Sequence, residues 1–297
     1  MRPANLQTKL FLDSADPQDT ARTIDLLGFL DGQTTNPSLL VKHPQLASKL
    51  TNGKIHRADL LAFYKEKIHE ISRLLPGKSV SIEVYSDMST SSETMVAQAR
   101  EMYFWAPNAH IKLPTTHQGL EAAQALSNEH MRLNLTLCFD QRQAAAIYSA
   151  TATHSESIQI QSLLGYHNVF VSPFIGRLDD QGKRGIDLIA NIQKMYKASD
   201  HHVGILAASV RSLAHLLVML AMKVDMVTAP LSVYEEWKQA DMKVPDSIPG
   251  DMFLDLAPIE YEEIDLHTNW RDMSFDNKLT EVGLEKFATD WNALIDR

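Results

Sequence analysis

Lys112 stands in an apolar run, Ile111-Lys112-Leu113-Pro114, whose composition predicts a β-strand that ends at a Pro-Thr turn. Burying an ammonium group without a partner is costly, so burial is expected to lower the pKa of this lysine and leave more of it as the neutral amine. A neutral amine attacks carbonyl carbons and forms Schiff bases with them. The alternative is a lysine at a sheet edge whose charge extends into solvent. Taken alone, the run leaves both interpretations open.

Polar residues at the ends of the other apolar runs favour the catalytic interpretation. In a parallel barrel, the carboxyl ends of the strands surround one common mouth, where such folds place their sites. The set combines one amine, two carboxylates, several hydroxyls and two guanidiniums, which suits carbonyl chemistry on a polyhydroxylated phosphate. Its members are Asp13, Thr34, Asn36, Glu83, Lys112, Asn134, Thr136, Ser172, Phe174, Ser209 and Arg211, with Arg177 shortly after the sixth run.

The elements that must position these residues alternate between short apolar runs and longer amphipathic stretches with helical spacing. About eight such alternations predict an α/β fold with a parallel sheet, and at 297 residues closure into a single (β/α)8 TIM barrel is the simplest arrangement. The alternative is a doubly wound sheet, but no Gly-x-Gly-x-x-Gly follows the first run. The predicted strands are Leu10–Ala15, Gln33–Pro37, Val80–Tyr85, His110–Pro114, Leu133–Phe139, Val169–Ile175, Val203–Ser209 and Met226–Pro230.

The remaining segments are assigned to the same domain, which is expected to span residues 1–297 as one barrel. Residues 41–58 predict a long loop after the second strand, and the acidic, Pro-containing residues at about 242–278 predict an irregular excursion. The closing segment, at about 280–296, is amphipathic and predicts an additional C-terminal helix packed on the barrel.

Composition and charge disfavour several functional classes. A formal net charge of -9 and a pI near 5.7 disfavour broad electrostatic binding to nucleic acid or to anionic membranes. The amino terminus lacks the apolar core of a signal peptide, and the most apolar stretch is too short to span a bilayer, so a cytoplasmic protein is expected. The single cysteine, Cys138, permits no intrachain disulfide, and the 12 histidines show no metal-ligand spacing, so no metal site is expected.

Several candidate site residues also have structural interpretations that the sequence leaves open. These are a helix cap for Asp13, a surface ion pair for Glu83, a turn for Asn36 before Pro37, a plain β-branched strand position for Thr136, and an ion pair with Asp179 or Asp180 for Arg177.

Six segments, each at the end of a predicted strand and in their usual order, resemble the transaldolase signatures. The resemblance covers about residues 9–238 and the closing stretch from Gly283 to Trp291. The segments are Phe11-Leu12-Asp13-Ser14-Ala15-Asp16, Thr34-Thr35-Asn36-Pro37-Ser38, Ile111-Lys112-Leu113-Pro114-Thr115, Asn134-Leu135-Thr136, Ser172-Pro173-Phe174-Ile175-Gly176-Arg177-Leu178-Asp179-Asp180 and Ala207-Ala208-Ser209-Val210-Arg211.

The resemblance implies a (β/α)8 barrel that uses no metal and no organic cofactor. It implies transfer of a dihydroxyacetone unit from a ketose phosphate, sedoheptulose 7-phosphate or fructose 6-phosphate, to an aldose phosphate, glyceraldehyde 3-phosphate or erythrose 4-phosphate. Such a transferase acts in the non-oxidative pentose phosphate pathway, and its partners are small sugar phosphates. A homodimer is the expectation at the level of the family.

The matching motif positions imply a role for each site residue. Lys112 is the Schiff-base lysine, Asp13 the acid and base at the C4 hydroxyl, and Glu83 with Thr136 the pair that moves protons through a water as the carbinolamine dehydrates. The residues implied to bind substrate are Asn36 and Asn134 at hydroxyl groups, Arg177, Ser209 and Arg211 at the phosphate, and Thr34, Ser172 and Phe174 elsewhere in the site.

Two rival functions share these features. Fructose 6-phosphate aldolase, a sibling enzyme, has the lysine and the barrel but carries a tyrosine, which can protonate the carbanion, where this chain has Phe174; that difference favours transfer. A non-catalytic sugar-phosphate binding protein would need no unprotonated lysine. The chain departs from the family pattern at Asp140, where serine is common, at the long polar stretch 151–161 and at 223–225, where a Gly-containing turn is usual.

Overall fold

Eight parallel strands form the centre of the computed structural model, which describes residues 1–50, 53–152, 165–197, 199–248 and 252–296. The strands pair in chain order, and β1 also pairs with β8, so the sheet closes into a barrel. This confirms the predicted (β/α)8 barrel and excludes the doubly wound sheet. The strands are β1 (Lys9–Asp13), β2 (Gly32–Thr34), β3 (Ser79–Glu83), β4 (Ala109–Pro114), β5 (Leu133–Cys138), β6 (Val169–Pro173), β7 (Val203–Ala207) and β8 (Met226–Ala229).

Helices follow the strands, as the alternating pattern predicted. The region 41–58, predicted as a loop, contains a short helix, α3, because a proline suits its first position and His43 caps it. The predicted C-terminal helix is present as α12, and none of the described helices has the length and apolar character needed to span a membrane. The helices are α1 (Pro17–Leu27), α2 (Pro37–Val41), α3 (Pro44–Ala47), α4 (Arg57–Leu74), α5 (Ser92–Tyr103), α6 (His117–Asn128), α7 (Gln141–Thr151), α8 (Ile175–Asp179), α9 (Gly185–Tyr196), α10 (Leu213–Ala221), α11 (Leu231–Gln239) and α12 (Lys278–Asn292), with a 3-10 helix (Trp270–Asp272) in the predicted excursion.

Side-chain caps fix the first turns that leave the barrel at its mouth. Asp16 accepts a hydrogen bond from the Gln18 amide at 2.9 Å, and Pro17 takes the first position of α1. Asn36 caps α2 in the same way through the Leu39 amide, also at 2.9 Å. A cap supplies an acceptor for an amide that a helix start leaves unpaired. The chain therefore turns into each helix directly after the polar residues at the strand ends.

The register of the strands brings the candidate residues to one level of the barrel. Asp13 pairs with Thr34, Glu83 pairs with Lys112, and Lys112 pairs with Asn134. Adjacent strands in a parallel sheet lie about 4.8 Å apart, so side chains at one level that project to the same face are neighbours. Residues far apart in sequence therefore meet at the carboxyl ends of the strands.

An apolar layer fills the barrel below these residues. Phe11 packs edge-on against Phe170 with ring centroids 6.1 Å apart, and Tyr166, Leu206 and Met226 complete the cluster. Close packing of this kind excludes water. The polar residues above the layer therefore face the carboxyl end of the barrel, where this fold places catalytic groups.

Candidate active site

The Lys112 side chain lies inside the barrel and is 5% exposed. Its Nζ atom is 2.8 Å from Oε2 of Glu83, on the neighbouring strand β3. The same nitrogen donates a hydrogen bond of 3.1 Å to the carbonyl oxygen of Thr35, just beyond β2. Lys112 is therefore not a lysine at a sheet edge, and the structure gives its amine two defined partners.

Asp13 lies at the end of β1 and is partly accessible from the cavity described below. Its Oδ1 accepts a hydrogen bond of 2.7 Å from Thr34 Oγ1, which is also 2.7 Å from Thr228 Oγ1. Burial raises the pKa of the Asp13 carboxyl, although Lys112 and the Thr34 hydroxyl oppose that shift. Asp16, not Asp13, caps α1, so the structural interpretation of Asp13 as a helix cap is wrong.

Glu83 is 3% exposed, which excludes a surface ion pair. Burial raises the pKa of its carboxyl; Lys112 opposes this shift, and the nearby charge of Asp13 adds to it. A carboxyl whose pKa is raised exchanges its proton more readily near neutral pH than an ordinary one does. Two such carboxyls around one amine form an arrangement that can move protons during a reaction.

Hydroxyl and amide groups continue the site across β5 and β6. Asn134 donates to Ser81 Oγ at 3.1 Å and accepts from Ser172 Oγ at 2.6 Å, so its position is fixed. Within the described residues, the buried hydroxyl of Thr136 has no hydrogen-bond partner. Buried polar groups in folded proteins are nearly always paired, so the Thr136 hydroxyl is available to a ligand or a water. This sets it apart from a plain strand former.

One cavity of about 160 Å³ joins these groups at the mouth of the barrel. Eight of the twelve candidate residues line it, and Glu83 and Asn134 reach it through the neighbours they contact. Arg177 and Arg211 are not among the lining residues. The cavity is lined by Asp13, Thr34, Asn36, Ser38, Leu39, Lys112, Thr136, Ser172, Phe174, Ala208, Ser209, Thr228, Lys286 and Phe287.

The two arginines lie on the segments that follow β6 and β7: Arg177 is on α8, and Arg211 is between β7 and α10. Arg211 forms an exposed ion pair with Asp180, whereas Asp179 contacts His215 Nε2 at 2.6 Å. Within the described part of the chain, Arg177 makes no ion pair, so its suggested pairing with Asp179 or Asp180 is not observed. Asn36, Phe174 and Ser209 lie one or two residues beyond a strand and line the cavity, whereas each arginine lies four residues beyond one.

The segments after β6 and β7 nevertheless touch. The Gly176 amide donates to the Ser209 carbonyl at 3.1 Å, and a Cβ at Gly176 would lie 2.3 Å from that oxygen, so only glycine fits. Ser209 has a φ of 58°, in the left-handed region that non-glycine residues seldom adopt. Such strained positions cluster at functional sites, and Ser209 lines the cavity.

Helix α12 supplies a wall of the cavity that the sequence analysis missed. Lys286 and Phe287 line the mouth, and Lys286 Nζ lies 3.1 Å from Asp290, which also accepts a hydrogen bond from Ser38. The amphipathic pattern predicted that α12 packs on the barrel, but a pattern of apolar spacing carries no information about which end of the barrel it covers. Ser38 and Thr228 also line the cavity and were not among the candidates, although Thr228 lies on a predicted strand and Ser38 in a segment that resembles the family signatures.

Two of the three departures from the family pattern have a visible structural role. Asp140 caps α7 by accepting from the Gln143 amide at 2.8 Å, and it accepts from Asn277, the cap of α12, at 2.7 Å. Burial raises the pKa of Asp140. Lys223 takes a φ of 52° at the turn where the family usually has glycine. Most of the polar stretch 151–161 lies outside the described residues, since these stop at 152 and resume at 165.

Comparison with known proteins places the chain in a family. The family model of Transaldolase/Fructose-6-phosphate aldolase matches residues 10–297. A probable transaldolase from Caulobacter sp. (strain K31) is 34% identical over 288 residues, covering 95% of this chain and 96% of that protein. A probable transaldolase from Brucella anthropi is 38% identical over 222 residues, covering 75% of this chain and 85% of that protein. The chain belongs to the transaldolase/fructose-6-phosphate aldolase family and is an enzyme of the transaldolase type.

Proposed function

We propose that this enzyme transfers a dihydroxyacetone unit between sugar phosphates through a Schiff base on Lys112. The observation that supports this best is the position of the Lys112 amine, which lines a cavity 2.8 Å from the buried carboxyl of Glu83. Asp13 lines the same cavity. A nucleophilic amine, an adjacent proton acceptor and a second carboxyl around one cavity are the groups that carbonyl transfer needs.

In the first half of the reaction, the Lys112 amine attacks C2 of the ketose phosphate and forms a carbinolamine. Glu83 takes up the proton that the amine loses and, with Thr136, returns a proton to the departing hydroxyl through a water. Loss of water leaves a protonated imine, which withdraws electrons from C3. The unpaired hydroxyl of Thr136 suits this role because no other described residue competes for it.

In the second half, Asp13 removes the proton from the C4 hydroxyl. The C3–C4 bond breaks, its electron pair moves to C3 and is shared with the imine, and the aldose phosphate leaves. An acceptor aldose phosphate enters, C3 attacks its aldehyde, and Asp13 returns the proton to the new hydroxyl. Hydrolysis of the imine releases the new ketose phosphate and restores the Lys112 amine.

Substrate binding is assigned to the polar residues around the amine. Asn36 and Asn134 hold hydroxyl groups, and Arg177, Ser209 and Arg211 hold the phosphate. The guanidinium fork donates two charge-assisted hydrogen bonds to a phosphate. Arg211 is paired with Asp180 through one guanidinium nitrogen in this structure, so a bidentate phosphate contact at that nitrogen competes with this exposed pair. Such pairs are weak, about 0.2–1 kcal/mol, so a dianion can replace the carboxylate.

The substrates we assign are fructose 6-phosphate or sedoheptulose 7-phosphate as donor, and erythrose 4-phosphate or glyceraldehyde 3-phosphate as acceptor. No cofactor takes part in the proposed steps, and the reaction belongs to the non-oxidative pentose phosphate pathway in the cytoplasm. Release of free dihydroxyacetone, the aldolase alternative, requires a proton donor at the carbanion. Phe174 lines the cavity, and its ring carries no acidic proton, which supports transfer.

The test is to incubate the enzyme with fructose 6-phosphate and erythrose 4-phosphate and to follow both products. We expect sedoheptulose 7-phosphate to form, and dihydroxyacetone to stay at the level of an enzyme-free control. Free dihydroxyacetone as the main product would replace transfer by the aldolase function. Binding of fructose 6-phosphate without either product would support the non-catalytic alternative.

A further inference from the structure

Tyr64, on α4, is buried behind the active site and has no part in the reaction steps above. It is 1% exposed and does not line the cavity. Its ring packs edge-on against Trp105, with centroids 5.7 Å apart, and against Trp291 of α12, with centroids 6.4 Å apart. Aromatic rings on two sides leave the Tyr64 side chain little freedom to move.

The Tyr64 hydroxyl belongs to a chain of hydrogen bonds whose directions can be assigned. Thr35 Oγ1 donates its one hydrogen to the Ser81 carbonyl at 2.9 Å. The 2.6 Å contact between Tyr64 Oη and Thr35 Oγ1 must therefore be donated by Tyr64. Tyr64 Oη in turn accepts from the Glu83 amide at 3.0 Å. Burial raises the pKa of Tyr64, which keeps its hydroxyl protonated and able to donate.

This chain connects the two groups that hold the Lys112 amine. Glu83 supplies the carboxyl oxygen 2.8 Å from Nζ, and Thr35 supplies the carbonyl oxygen that accepts from Nζ at 3.1 Å. The Tyr64 hydroxyl binds the backbone of the first residue and the side chain of the second. It therefore fixes the end of β3 against the segment that follows β2, at the level of the amine.

We propose that Tyr64 is a positioning residue, which acts by holding Glu83 and the Thr35 carbonyl in place around the Lys112 amine. This inference rests on the proposed function, because it assigns Tyr64 to the Schiff-base step. Proton transfer and nucleophilic attack require reacting atoms within about 3–3.5 Å, and a displacement of about 1 Å can reduce a rate about 100-fold. Removing the hydroxyl should thus slow catalysis while leaving substrate contacts unchanged.

The test variant is Tyr64→Phe, which keeps the ring and removes the hydroxyl. Its matched control is Tyr196→Phe, since Tyr196 is 4% exposed and donates at 2.7 Å to the Ala144 carbonyl, between α9 and α7 and away from the cavity. For both variants we would measure kcat, KM for fructose 6-phosphate, the unfolding temperature, and the single-turnover rate at which borohydride traps an adduct on Lys112.

For Tyr64→Phe we expect kcat and the trapping rate to fall about 10- to 100-fold, with KM within about threefold of the parent. For Tyr196→Phe we expect both rates within about twofold of the parent, even where the unfolding temperature falls. Equal kcat values for the two variants would show that Tyr64 is only structural and would overturn the inference. If the parent enzyme gave no trapped adduct, the proposed function would fail first.

A second variant keeps the inference testable if Tyr64→Phe does not fold. Trp105→Phe retains the Tyr64 hydroxyl but replaces the indole that packs against the Tyr64 ring with a smaller phenyl ring. Within the described residues, Trp105 Nε1 has no hydrogen-bond partner, so the substitution breaks no hydrogen bond among them. We expect kcat to fall about two- to fivefold with KM unchanged; an unchanged kcat in this variant would also overturn the inference.

Discussion

Two lysines of this chain are almost equally buried, and their surroundings differ. The side chain of Lys67, on α4, is 3% exposed, and that of Lys112, on β4, is 5% exposed. Lys67 lies 2.8 Å from Glu70 and 3.0 Å from Glu66, whose side chains are 38% and 51% exposed. Lys112 lies 2.8 Å from Glu83, whose side chain is 3% exposed. Burial and an ion pair are therefore common to both sites and cannot by themselves define a reactive amine.

The two lysines differ in the exposure of their carboxyl partners and in whether they line the cavity. Burial acts to lower the pKa of Lys67, but hydrogen bonds and charges from Glu70 and Glu66 raise it above its ordinary value. Lys67 does not line the cavity at the barrel mouth, whereas Lys112 does, together with Asp13. The comparison shows that a lysine in this fold becomes a candidate nucleophile where a buried carboxyl and an open cavity meet it.

The largest expected effect comes from removing the amine of Lys112, and removal of the Lys67 amine is the comparison. Lys112→Ala should reduce transfer activity at least about 10⁴-fold, because no other group can form the covalent intermediate. Lys67→Met should leave kcat within about twofold, since its exposed glutamate partners can be solvated instead. Steady-state rates, with circular dichroism to verify folding, test the pair. Residual activity within tenfold of the parent in Lys112→Ala, or a comparable loss in both variants, would remove the distinction between the two sites.

Replacing Phe174 tests whether this cavity residue decides between transfer of the dihydroxyacetone unit and its release. Phe174→Tyr places a hydroxyl in the cavity, where it can protonate the carbanion before an acceptor arrives. A positioned proton donor accelerates such a step about 10²–10⁴-fold, so the ratio of dihydroxyacetone release to transfer should rise at least about tenfold. Product analysis with and without erythrose 4-phosphate measures this ratio. An unchanged ratio would indicate that Phe174 does not face the reacting carbon.

The pH dependence of kcat/KM tests whether the carboxyls that act in catalysis are buried ones. Burial raises the pKa of Glu83 and of Asp13, and both must be ionised to accept protons in the proposed steps. As the pH falls through these raised pKa values the carboxylates are lost, so kcat/KM should decline at a pH above the ordinary glutamate value of about 4.3. Glu70→Gln, beside Lys67, should not shift this decline. An acid limb at or below the ordinary value would contradict the account.

A third lysine, Lys286, gives the smallest expected effect. Its side chain is 54% exposed at the cavity mouth, where its exposed pair with Asp290 is weak enough for a phosphate to compete. Lys286→Met should raise KM for glyceraldehyde 3-phosphate about two- to fivefold, as expected for an exposed charge, and leave KM for unphosphorylated glyceraldehyde unchanged. Lys278→Met is the matched control, because Lys278 is exposed on the same helix outside the cavity. Equal changes with both acceptors would exclude a phosphate contact.

The barrel and the residues at its strand ends could be predicted from the sequence, because both depend on local patterns. Alternation of apolar runs and amphipathic stretches predicts parallel strands, and this fold gathers the strand ends at one mouth. The pairing of Glu83 with Lys112 follows from the register of β3 and β4, which local patterns do not specify. The residue types were therefore predictable, but the 2.8 Å contact between them was not.

Other parts of the site depend on contacts between distant segments. The position of α12 across the mouth is set by interactions such as the Asn277–Asp140 and Ser38–Asp290 hydrogen bonds. The pairing of Arg211 with Asp180 joins the two connecting segments after β6 and β7. Amphipathic spacing predicts that one side of a helix is buried but does not identify the surface that covers it. The position of α12 and the Arg211–Asp180 pair both depend on contacts between distant segments, so neither could be predicted from the sequence.

Mass spectrometry can show directly which lysine becomes covalently bound to sugar. The parent enzyme would be incubated with fructose 6-phosphate, reduced with borohydride and digested, and the peptides analysed by mass spectrometry. We expect one reduced adduct, on the peptide that contains Lys112, and an unmodified Lys67. An adduct on another lysine, or none at all under conditions in which transfer proceeds, would contradict this expectation.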